Sequence, residues 1–231
     1  MKNYLKIIVL VSVATYVGAL FLPPLLYQRL TLPSNPYNAL LNTIFAASIA
    51  SLLVFPLAML IGFYVAARSL ALILPFLMFA TAIPHTAIGL MLLPLFSALK
   101  IVDTWLAVII AMMVVSLPLG VGSMASSLSS AAKSLDEFLT VLGVGELRNI
   151  WIHLRAVGLG GAVSFLLIWL RAFSELGVFL IVAYRPSTVG VYLFELFQTG
   201  GAETAVPFSI IVAAIGMAFS GLLYIISWRG G

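Results

Sequence analysis

Six long runs of predominantly apolar residues decide what this chain can fold into. They cover roughly 5–26, 39–67, 70–99, 105–124, 157–183 and 206–228. About 20 apolar residues in a helix cross the hydrocarbon layer of a bilayer with every backbone donor and acceptor paired internally. Only 8% of the 231 residues are charged, against about 25% in an ordinary soluble domain, so lipid has to cover the apolar surface. The expectation is an all-α polytopic membrane protein with about six transmembrane helices, forming one domain over 1–231. There is no cysteine, which excludes disulfides and thiolate metal sites. The net charge of +4 forms no dense basic patch, so it reads as membrane orientation and not as nucleic-acid binding.

The first run follows Lys2 and Lys6. It is longer than the apolar core of a signal peptide, about 7–15 residues, and no clear small-residue cleavage site follows, so it is expected to stay as the first helix. The third run carries Pro75, Pro84 and Pro94 and is expected to bend or break near 83–85. With a cytoplasmic N-terminus, seven of the eleven Lys and Arg fall inside: Lys2, Lys6, Arg68, Lys133, Arg148, Arg155 and Arg229. Arg29, Lys100 and Arg185 fall outside, and Arg171 lies within the fifth run. The positive-inside rule then places both termini in the cytoplasm of a multi-pass protein of the cell membrane.

One long insertion, 125–156, lies on the expected inner side. It opens with a Ser-rich stretch, 126–130, and Ser134 with Glu137 fits a capping box in which the Ser134 hydroxyl accepts from the Glu137 amide. A short helix should follow and stop at Gly143, and a second should start near Glu146 and run past Trp151. The apolar residues here, from Phe138, Leu139 and Leu142 to Ile150, Trp151 and Leu154, exceed what one short helix can hide. Either they pack under the bundle or they enter a groove on a partner.

Arg171 and Glu175 stand four apart on one face of the fifth run, near its middle. A charge in the membrane costs roughly 3 kcal/mol or more, so such residues face a bundle interior or a wet cavity and pair with one another. Two roles stay open, a gate or pathway lining and a structural pair that locks helices. His85, between Pro84 and Thr86, either meets an anion at the kink or bonds carbonyls freed by the proline, and the second is favoured. Thr81, Thr86, Ser116 and Ser174 are pathway candidates whose commoner use is bonding to helix backbone. Gly158, Gly160 and Gly161 read as close helix packing, because no strand precedes them and no Gly-Lys-Ser/Thr follows. Without a Walker sequence, a metal-spaced cluster or a nucleophile elbow, no catalytic residue, metal or cofactor is expected, and the chain does not read as an enzyme.

The insertion resembles the cytoplasmic coupling motif of ABC importer permeases, E-A-A, three residues, Gly, eight residues, I-x-L-P. Glu137 stands at the Glu position, Gly143 at the Gly position, and Ile152 and Leu154 at the I-x-L positions, while Phe138 and Leu139 replace the alanines and Arg155 the proline. Its place before the penultimate membrane run is also that of the family. The segments 83–90, 171–177 with 183–186, and 200–207 are similar to tungstate/molybdate permeases, the last to their final external loop. Sulfate permeases share much of this pattern. The resemblance implies a type I ABC importer-like permease working as a homodimer, with two separate ATPase subunits and an external oxyanion-binding protein as partners. It implies that Glu137, Phe138, Leu139, Leu142, Gly143, Ile152 and Leu154 couple to the ATPase, and that Arg171, Glu175, Ser174, His85 and Thr86 are the pathway or gate candidates. Rival readings are a permease for sulfate or another small anion, and a secondary transporter driven by an ion gradient. The latter predicts inverted repeats and ionisable residues chained across several helices, neither of which is evident. A membrane-embedded enzyme would need convergent catalytic groups that the chain lacks.

Overall fold

A computed structural model describes residues 2–26, 33, 36–68, 70, 72–129 and 132–228. Among them there is no strand. Helices α1 (Lys2–Phe21), α2 (Pro36–Ala67), α3 (Ile73–Ala82), α4 (His85–Ala98) and α5 (Trp105–Leu128) precede two short helices, α6 (Ala132–Val141) and α7 (Glu146–Val157). Then come α8 (Leu159–Phe173), the single turn α9 (Phe179–Val182) and α10 (Val189–Trp228).

By length and composition, α2, α5 and the Val189–Leu222 part of α10 can each cross a membrane. Two bent pairs raise the number to five if each is one span. Helix α1, 20 residues long over Lys2–Phe21, occupies the first of the six expected runs. The third run is broken by Pro84 into α3 and α4, which meet at 105°. Pro84 offers no N–H and forces Ile83 into an extended conformation (φ −85°, ψ 137°), the known constraint on a residue before proline. Pro75 sits in the first turn of α3, where no donor is needed, and breaks nothing.

Three further boundaries differ from the sequence reading. Helix α5 runs to Leu128, so much of the Ser-rich stretch is helical; Ser127 Oγ donates to the Ser123 carbonyl at 2.9 Å. Helix α6 already contains Ser134, two residues past its start, so Ser134 is not its N-cap. Ala132 and Lys133 are good helix formers and extend the helix backward past the serine. The segment 200–207 holds the junction of two helices that α10 comprises: they meet at a kink at Gly201 (φ 67°, ψ −164°), with no longer loop between them. Of the basic residues used for orientation, Arg29 and Arg229 lie outside the described residues.

The core lies between α2, α4, α5, α8, α9 and α10, and α2 with α5 forms its most extensive pairing. The buried face of α2 is mostly small, with Ala39, Ala46, Ala47, Ala50, Ser51, Ala58 and Gly62 all buried. Small residues let helix backbones approach where lipid removes the hydrophobic drive to associate. At Gly62 a Cβ would lie 2.8 Å from Met124 Cβ and 3.1 Å from the Ala125 amide nitrogen of α5. Gly62→Val is therefore expected to destabilise the chain by about 1–3 kcal/mol through overpacking. Thermal unfolding in detergent should show a melting temperature several degrees lower; an unchanged curve would mean that the helices do not meet there.

Candidate functional site

Two features concentrate the polar chemistry of the bundle and its end: a buried charge cluster and an elbow made by α6 and α7.

The cluster forms where two chain breaks meet. Helix α8 ends at Phe173, so Glu175 lies just past it, in the break before α9 and not in the middle of a continuous helix. Glu175 itself explains the break. Its Oε1 accepts from the Val178 N–H at 2.8 Å, serving a donor at the start of α9 that has no helical partner. Facing it is the other break, at Pro84, with His85 opening α4. Gly177 allows the two to touch, since a Cβ there would lie 2.7 Å from His85 Cβ.

Arg171 Nη2 is 3.1 Å from Glu175 Oε2 and 2.7 Å from His85 Nε2. His85 Nδ1 is 3.0 Å from the same Glu175 oxygen. One assignment satisfies all three: Arg171 donates to Glu175 Oε2 and to His85 Nε2, and His85 Nδ1–H donates to Glu175 Oε2. The carboxylate thus accepts three hydrogen bonds with 0% of its side chain exposed, while Arg171 and His85 keep partial exposure. The carbonyl-bonding role favoured for His85 is replaced by this triad. Thr86 and Ser174 are exposed beside it, and Ser174 Oγ donates to the Arg171 carbonyl at 3.2 Å. Thr81 and Ser116 donate to the carbonyls of Met78 and Met112, at 2.6 and 2.7 Å.

Of the three glycines expected to pack helices, Gly160 does so, since a Cβ there would meet Ser127 Cβ of α5 at 2.8 Å, and Gly161 is buried 3.8 Å from Phe55 of α2, whereas Gly158 is exposed with open space around it. Among the described residues no cluster of His, Cys, Asp or Glu has metal-binding proximity.

At the elbow, α6 ends in a two-bond glycine cap. Gly143 takes φ 67°, its N–H donates to the Thr140 carbonyl at 3.0 Å, and the Val144 N–H donates to the Leu139 carbonyl at 3.0 Å. The apolar residues of the elbow divide into an inner and an outer set. Leu139 is 7% exposed, and Val157 and Ile150 join the small core beneath α2 and α5. Phe138, Val141, Leu142, Leu147 and Trp151 face outward, with Val141 at 86% exposure. Glu137 is exposed, Ile152 is half-buried, and the side chain of Leu154 lies outside the described residues.

Three polar residues that the sequence reading did not single out fix the elbow to α2. The Asp136 carboxylate takes Arg68 Nε on one oxygen at 3.2 Å and accepts from Asn149 Nδ2 on the other at 2.7 Å. His153, fully buried, lies 3.0 Å from the Asn149 carbonyl through Nδ1 and stands edge-on to Phe63 at 4.9 Å. The available signal was spacing: Asn149, His153 and Val157 recur at four-residue intervals on one face of α7.

No protein-family model matches the chain. It is similar to the molybdate/tungstate transport system permease protein WtpB of Pyrococcus abyssi, 29% identical over 198 residues that cover 84% of this chain and 78% of that protein. The protein of the same name from Thermococcus kodakarensis is 31% identical over 150 residues, 64% of this chain and 59% of its own length. A probable molybdenum ABC transporter permease protein of Haloferax volcanii is 22% identical over 202 residues, covering 81% and 74%.

Proposed function

We propose that this chain, a relative of the archaeal molybdate/tungstate permeases, is the membrane-spanning permease subunit of an ATP-driven ABC importer and moves tungstate or molybdate inward. The observation that carries the reading is the elbow. Five large apolar side chains project from two short amphipathic helices whose other faces are fastened to the bundle. An exposed apolar face on a fixed helix suits a groove on a partner. In this reading the partner is an ATPase chain, two of which serve a homodimer of this chain, and an external oxyanion-binding protein delivers the cargo. The excess of Lys and Arg at the elbow and near the N-terminus supports a cytoplasmic elbow and cytoplasmic termini. Hydrolysis then belongs to the partner, and the chain supplies the pore.

An ion-driven secondary transporter is the poorer fit. It calls for ionisable groups linked across several helices. Among the described residues Glu175 is the one carboxylate with no exposed surface, and its side-chain partners are two neighbouring residues.

Purification of the native complex in mild detergent tests the assignment. A nucleotide-binding chain is expected at one copy per copy of this one, and proteoliposomes holding the complex should take up labelled tungstate or molybdate only with ATP. A native particle without any nucleotide hydrolase, or uptake driven by an ion gradient alone, would reject it. Sulfate competition separates the oxyanions.

A further inference from the structure

The ties between α2 and the elbow do more than hold it in place. Asp136 is nine-tenths buried, and its two oxygens are committed to different elements, one to Arg68 at the end of α2 and the other to Asn149 of α7. A second tie joins the same pair of elements, with Tyr64 Oη donating to Glu146 Oε1 at 2.9 Å. The turn between α6 and α7 is closed by the Gly143 cap. The link from the elbow to α8 is of a different kind. It runs through Gly158 (φ 48°, ψ −117°), where α7 and α8 meet at 83° and a Cβ would encounter nothing nearer than the Ala156 carbonyl at 4.0 Å.

The far end of α2 is fastened too. Asn42 Nδ2 donates to the Ser187 carbonyl at 2.9 Å, and the Val189 N–H donates to Thr43 Oγ1 at 2.7 Å. Next to Val189, Gly190 packs against the backbone of Glu175, where a Cβ would lie 2.7 Å from the Glu175 carbonyl oxygen. From Thr43 to Phe63 the helix spans about 30 Å at 1.5 Å per residue.

We propose that α6, α7 and the C-terminal end of α2 form one rigid body, with Arg68, Asp136 and Asn149 as its positioning residues, and that α2 carries motion imposed on the elbow to the Arg171–Glu175–His85 cluster. Gly158 is the joint that lets this body turn without dragging α8 along. The inference rests on the reading of the elbow as the ATPase contact. A coupling of this kind needs an element that both sites bias, and α2, helical without a break across Pro56, is tied at both ends.

The chain has no cysteine, which makes the test clean. In the complete reconstituted complex, Tyr64→Cys with Glu146→Cys is joined by a short bis-methanethiosulfonate reagent and released with dithiothreitol. Cross-linking should form efficiently and leave ATP-driven uptake within about twofold of the released protein. Failure to cross-link, or uptake lost on cross-linking and regained on release, would overturn the rigid body. In parallel, Arg68→Ala should reduce uptake at least tenfold while ATPase co-purification and basal hydrolysis persist, and Arg68→Lys should restore most of it. Uptake by Arg68→Ala at the unsubstituted rate would overturn the positioning role. If Arg68→Ala fails to accumulate in the membrane, the cross-linking result decides. An unsubstituted chain that binds no ATPase would sink the importer reading and is a separate result.

Discussion

Glu175→Ala should destabilise the bundle by about 3–5 kcal/mol, the range for removing one partner of a buried ion pair. Three groups lose their acceptor at once: Arg171, His85 and the Val178 N–H. Glu175→Gln should cost less, because its amide oxygen can still accept from Val178; the charge is lost, and the amide NH2 in place of Oε2 can no longer accept from Arg171 or His85. Arg171→Met with Glu175→Gln removes both charges and should recover most of the stability lost by either change alone, since neither member is then left unpaired. Thermal unfolding in detergent, followed by the fluorescence of the four tryptophans, gives the cycle. Additive losses in place of recovery would show that the two residues do not form a pair. The same four proteins separate the two roles open for the cluster. If it only locks α4 to α8, ATP-driven uptake returns with stability in the double variant. If it gates the pathway, stability returns and uptake does not.

That experiment turns on a feature only partly legible in the sequence. The four-residue spacing of Arg171 and Glu175 and the proline beside His85 are plain, and both point to a strained, polar place in an apolar run. That the two places coincide is a tertiary fact. It depends on Gly177 and Gly89 admitting the backbone of a helix 90 residues away in sequence, and a glycine in an apolar run does not name its neighbour. The helix break at Ser174 was hidden for a related reason. No proline marks it; a carboxylate that serves a backbone N–H ends the helix instead. Pro84 was the opposite case, because the constraint it places on Ile83 is local and holds in any fold. At the elbow, the cap at Gly143 and the start at Glu146 follow from short-range chemistry. The brace to α2 does not, since Arg68 and Asp136 are brought together by the packing of the whole bundle.

The division of the elbow into an inner and an outer face sets the second large effect. Phe138 and Leu139 are adjacent in sequence and opposite in environment: Phe138 is 60% exposed and Leu139 7%. Phe138→Asp should leave the melting temperature of the isolated chain nearly unchanged, because surface changes away from a cap or a pair stay within about 0.5 kcal/mol. It should nevertheless weaken ATPase association by about thirtyfold or more, the equivalent of a residue worth about 2 kcal/mol at the centre of an interface. Leu142→Asp, on the same face, should behave alike. Leu139→Asp should instead lower the melting temperature sharply, because it drives an unpaired carboxylate under the bundle next to Asp136. Pull-down of the ATPase by each detergent-solubilised variant, alongside its melting curve, reads both quantities. Association that survives Phe138→Asp and Leu142→Asp together would move the contact off this face. The apolar row of Phe138, Val141 and Leu142 would then have to meet another surface, lipid or a second copy of the chain, and the elbow would no longer carry the argument for an ATP-driven importer.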